Sequence, residues 1–168
     1  MKDLKTASVE QTEQELIFTR IFSVPRELVF TAFTTSEHLA RWWGPKDWTL
    51  TDCTIDFRPG GVWHFCLRSA TGQQERWVKA VYREIVEPER IVFTESFVDA
   101  QGNLVDDLPE RLITVTFAEH NGKTKFTTCI RYASASDLQT VLAMGAMKGF
   151  TENWDRLEHY LTSLDTSL

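Results

Sequence analysis

From Trp48 to Tyr132 apolar residues recur at every second position, in short runs separated by turn signals. Period two sends alternate side chains to opposite faces, so this half of the chain reads as an antiparallel sheet that buries one face. Thr49–Phe57 sets Thr51, Cys53, Ile55 and Phe57 against Leu50, Asp52, Thr54 and Asp56. "RPGG" at 58–61 turns the chain into a strand where Trp63, Phe65 and Leu67 oppose His64, Cys66 and Arg68. "SATGQQ" and "EPER" separate Glu75–Val86 from Ile91–Val98, an acidic loop precedes Arg111–Ala118, and Asn121-Gly122 marks a hairpin into Thr124–Tyr132. With Glu15–Ser23 ahead of them, these runs predict seven strands.

Two places carry helical spacing instead. Pro25 fits a first helical turn, with Leu28, Val29, Ala32 and Phe33 on one face. Thr35 or Ser36 can cap a second short helix, which Gly44 and Pro45 end. Near the C-terminus Ser136 and Gln139 form a capping-box pattern, opening a long helix to about Leu164. Phe150, Trp154, Leu157, Leu161 and Leu164 give its second half a buried stripe. Its first half carries Ala143, Met144, Gly145, Ala146, Met147 and Gly149, which lack bulk or adapt their shape. Close approach of a strand and room for a ligand are equal explanations for the two glycines.

The chain has 168 residues, the size of one domain: a polar tail over 1–14, a single domain over 15–164 and a short tail over 165–168. Its net charge of −6 opposes non-specific attraction to nucleic acid or anionic lipid. The polar N-terminus lacks a signal-type apolar stretch and no run approaches membrane-spanning length, so a cytoplasmic protein without membrane insertion is expected. Cys53, Cys66 and Cys129 read as small, buried or half-buried thiols, and His38, His64, His120 and His159 are too scattered for a metal site. Neither metal nor cofactor is expected. No G-x-S-x-G elbow or phosphate-binding loop occurs, which leaves Asp56, His64, Arg68 and Glu95 as acid–base candidates. His64 alternates with inward-facing aromatics and is expected to face solvent, whereas Glu95 shares a face with Phe93 and Phe97.

The element order, with "VPRELVFTAFTTSEHLARWWGP" (24–45), "DFRPGGVWHF" (56–65), "EIVEPERIVFTE" (84–95), "HNGKTKFT" (120–127) and "GFTENWDRLEHYL" (149–161), resembles the START-like, Bet v 1-like (SRPBCC) superfamily. Within it the stretches are similar to the AHSA1-like group, named for the activator of Hsp90 ATPase. The resemblance implies an α+β helix-grip fold: a curved antiparallel seven-stranded sheet around a long C-terminal helix, with two short helices after the first strand. It also implies a cavity between sheet and helix, often suited to a hydrophobic small molecule; with no catalytic motif in the sequence, binding of a hydrophobic or amphipathic small molecule without catalysis is expected. The alternation proposes Trp63, Phe65, Leu67, Phe93, Phe126, Ile130 and Tyr132 from the sheet facing Met144, Met147, Phe150 and Trp154 from the helix. Of Trp42 and Trp43, at least one is expected to pack the joint between the short helices and the sheet and the other to line or gate the cavity mouth, and Glu95 is the polar candidate, catalytic if the cavity is an enzyme's. A stress-related or co-chaperone-like interaction module is the alternative, and a polyketide cyclase-like cavity enzyme is the second. Residues 1–14 are too short to supply that co-chaperone's additional N-terminal domain, and a homodimer is compatible with the domain without being required.

Overall fold

The computed structural model describes residues 7–105 and 108–166. β2 (Glu15–Phe22) leads into two short helices, α1 (Arg26–Thr34) and α2 (Ser36–Trp42). A meander follows through β3 (Trp48–Ile55), β4 (Val62–Ser69), β5 (Glu75–Val86), β6 (Arg90–Val98), β7 (Arg111–His120) and β8 (Lys123–Tyr132). The chain closes with α3 (Ala135–Ala143) and α4 (Ala146–Thr166). Every strand pairing is antiparallel, and an additional strand, β1 (Ala7–Gln11), extends the sheet to the order β1-β2-β8-β7-β6-β5-β4-β3. This is the α+β helix-grip arrangement expected, with eight strands instead of seven.

The added strand corrects the reading of residues 1–14 as a tail, insofar as residues 7–14 are described. All five residues of β1 are exposed at the sheet's edge, so it has no buried face and no apolar alternation to announce it. A second correction lies in β3, where a register shift between Leu50 and Asp52 places two residues opposite one. Such a bulge inverts the alternation across it. Leu50 is therefore buried on the side from which it was expected to point away, while Cys53 and Ile55 remain half-buried.

The C-terminal helix is not continuous. Ser134, rather than Ser136, caps α3, its hydroxyl accepting from the Asp137 backbone N–H at 3.0 Å. Gly145 then adopts φ +93°, a left-handed conformation just beyond the C-cap Met144 that ends α3 and lets α4 begin at Ala146. The stripe on α4 is buried at Trp154, Leu157 and Leu161, with Phe150 partly buried nearer the break.

Aromatic packing fills the space beneath α1 and α2. The Phe33 ring lies 5.5 to 6.5 Å from those of Trp42, Trp43, Phe93, Phe117, Phe126 and Trp154. Burial on this scale, with tilted and edge-on rings, is what holds two short helices that have little intrinsic stability. The Trp42 indole N–H donates to the Ala32 carbonyl at 3.0 Å, so its polar atom is paired inside the core.

Candidate functional site

The packing opens at the other end of the helix-bearing face. A cavity of about 490 Å3 lies between β4–β7, the α2–β3 joint and the α3–α4 break. Its apolar walls are Trp43, Phe65, Leu67, Val78, Phe97 and Phe150, and Val141, Met144, Gly145 and Ala146 bring the interrupted helix to its rim. The helix break is what leaves this room. Met144 is 49% exposed there instead of packing under a continuous helix.

The joint that forms one wall is held by α4. Gly44, with φ +108°, donates its backbone N–H to the Asn153 side-chain carbonyl at 2.9 Å. The left-handed backbone is what favours glycine at Gly44, and a β-carbon there would also come within 2.9 Å of a terminal methyl of Leu67, which would have to move. Arg156 donates from Nη1 to the carbonyls of Gly44 (3.0 Å), Pro45 (3.1 Å) and Trp48 (2.9 Å). Burial lowers the Arg156 pKa, and the charge of Asp47 acts in the opposite direction.

A row of polar side chains crosses the inward face of the sheet beside the cavity, whose lining also carries Lys46, Asp47, Lys148 and Glu152. The register pairs Glu95 on β6 with Arg111 on β7, and Arg111 with Tyr132 on β8. Arg111 donates from Nε to Glu95 Oε1 at 2.7 Å, and its Nη2 also contacts Oε1. The guanidinium lies 5.1 Å from the Phe97 ring centre and 5.2 Å from that of Phe150. Arg76 repeats the motif nearer the mouth, 5.7 Å from Trp48 and 6.0 Å from Phe97, so rings and cations alternate along the wall. Burial works against the Arg111 charge, but the Glu95 carboxylate and Tyr132 outweigh it and raise its pKa. Burial likewise raises the Tyr132 phenol, with the Arg111 charge opposing.

Among the eleven residues proposed from sequence as ligand contacts, Trp43, Phe65, Glu95, Met144 and Phe150 line the cavity. Trp42, Trp63, Phe93, Tyr132 and Trp154 are buried outside its lining, and Met147 packs partly buried against the core. Alternation identifies the inward face but not which inward residues border empty space. Leu67 is also a lining residue, while Phe126 and Ile130 belong to the core. Asp56 pairs with Arg58 and Arg68 with Glu75, both at exposed positions. His64 lies outside the cavity, but its ring stacks on Trp77 at 5.1 Å rather than standing free in solvent.

The sequence reading overlooked Phe97 as a wall, Arg76 and Arg111 as its cations, and Asn153 and Arg156 as the clamp on the joint. Arg111 could have been found as an inward position of the Arg111–Ile113–Val115–Phe117 alternation. The described lining contains no hydroxyl, thiol or imidazole side chain, so it offers hydrophobic contact and charge without those nucleophiles. Among the described residues no cluster of His, Cys, Asp and Glu could hold a metal ion, and no helix is long and apolar enough to cross a membrane.

The family model for "Activator of Hsp90 ATPase homolog 1-like protein" (AHSA1) matches residues 23–162. The chain belongs to the AHSA1 family. Protein Ms6760 from Mycobacterium smegmatis is 28% identical, with 92% of this chain and 95% of that one covered at a TM-score of 0.83. An Arthrobacter aurescens protein is 23% identical, covering 95% and 93% at a TM-score of 0.89. An AHSA1 protein from Silicibacter pomeroyi is 20% identical, covering 88% and 97% at 0.70. The latter two likenesses concern the fold alone. No protein with a curated description matches the sequence.

Proposed function

We propose that this AHSA1-family protein binds a hydrophobic or amphipathic small molecule, without catalysis, in the cavity between the sheet and the interrupted C-terminal helix. The observation that carries the reading is the cavity of about 490 Å3, a size suited to a small organic ligand. Phe65, Leu67, Val78 and Phe97 supply apolar contact from the sheet, and Phe150 supplies it from α4. Burial of an apolar ligand there gains roughly 25 cal/mol per Å2 removed from water, before the cost of immobilising it.

The family's name motivates the alternative of a chaperone-binding module. Native mass spectrometry of protein isolated from its own host, beside affinity capture from the same lysate, tests the two. A reproducible bound small-molecule mass is the expected result. A ligand-free protein that captures a chaperone stoichiometrically would overturn the binding reading.

A further inference from the structure

The Glu95–Arg111 pair leaves one carboxylate oxygen over. Both contacting nitrogens of Arg111 converge on Oε1, while Oε2 is buried without a hydrogen-bond partner. Glu95 as a whole is only 2% exposed and borders the cavity. The contacts of Arg111 with Phe97 and Phe150 oppose swinging its fork to span both oxygens. A buried acceptor without a donor is costly, and more so when it carries charge. The geometry therefore leaves an unused acceptor on a side chain that borders a cavity lined by both apolar and charged residues.

Building on the cavity reading, we infer that its ligand carries a hydrogen-bond donor, a hydroxyl or amine on an apolar body, which it directs at Glu95 Oε2. Phe97 and Phe150 flank the cation that holds the carboxylate in place, while Leu67 and Val78 receive the apolar body. A purely hydrocarbon ligand leaves Oε2 unpaired. A carboxylate ligand brings a second negative charge towards the buried Oε2, which is unfavourable at that atom even though Lys46, Arg76 and Lys148 also line the cavity. Glu95 is thus a specificity-determining residue that selects donor-bearing ligands over apolar and anionic ones of the same shape.

Three probes with one ring system separate these possibilities: 2-naphthol, 2-methoxynaphthalene and 2-naphthoate, titrated at neutral pH and followed by the amide and Arg111 Nε–H resonances in heteronuclear NMR. The naphthol should bind about tenfold or more tightly than the methyl ether, with the naphthoate weakest. In the Glu95→Gln/Arg111→Met double variant, which removes both charges rather than stranding one, the ratio of naphthol to ether affinity should fall to about one, whatever happens to the affinity the two probes share. The probe series on the unaltered protein stands even if the variant fails to fold. Equal affinities for naphthol and ether would overturn the donor inference and leave the cavity reading intact. Tightest binding by the naphthoate would overturn it in favour of an anion held by the arginines. Failure of all three to bind would overturn both readings.

Discussion

The two ends of the helix-bearing face solve the same packing problem in different ways. Beneath α1 and α2, Phe33 sits among six aromatic rings and Trp42 has even its indole N–H paired. Beneath the α3–α4 break, Phe97 and Phe150 instead flank the Arg111 cation beside an open cavity. Aromatic abundance is therefore a poor guide to the site in this fold. The better markers are a break in the covering helix and charged side chains at inward strand positions.

If the filled end carries the fold, the largest effect belongs there. Phe33→Ala should cost about 3–5 kcal/mol of stability, whereas Phe150→Ala, half-buried beside existing space, should cost less than half of that. Urea denaturation of both variants checks the ratio, and equal losses would erase the distinction between the two ends. Next comes the joint between them. Asn153→Ala removes the acceptor of the buried Gly44 N–H, so a loss of about 1–3 kcal/mol is expected in the same assay.

Gly145→Ala should have a smaller effect, about 1–2 kcal/mol, because a β-carbon there meets no atom within 4 Å and only the left-handed backbone resists it. It should also change probe binding at the cavity rim, as Phe33→Ala should not. A probe affinity unmoved by Gly145→Ala would separate the helix break from the site.

The smallest effect lies away from both ends. Burial, with the hydrogen bond to Glu15, raises the Cys129 thiol from 9.0 to about 12. The folded chain thus keeps a proton that the unfolded chain loses, so this contribution to stability is present below about pH 9 and is lost as pH rises to about 12. Cys129→Ala should flatten the alkaline fall in melting temperature; an unchanged slope would mean other groups, such as the buried phenol of Tyr82, dominate it.

The difference between the ends also explains what was legible in the sequence. The meander strands are readable because one buried face imposes period two, as at Ile113, Val115 and Phe117. β1 has no such face, and the bulge after Leu50 changes faces without a turn residue to mark it. Gly145 was visible as a costly residue in a helical stretch, but its left-handed backbone is a property of the folded chain. Similarly, Glu95 and Arg111 are each readable as inward, yet their pairing depends on a register set across the long β6–β7 loop. Arg156 was hidden most completely, since its three short bonds reach backbone carbonyls more than a hundred residues earlier. Periodicity carries no information about such a contact.

The most direct test of an open site at one end is a methyl-resolved NMR titration with naphthalene, an uncharged apolar probe. The methyl groups of Leu67, Val78, Val141 and Met144, all bordering the cavity, should shift together and saturably, while those of Leu39, Ile91, Val115 and Leu157, all buried in the core, stay in place. An absence of shifts in the first group, or saturable shifts centred on the second, would contradict it.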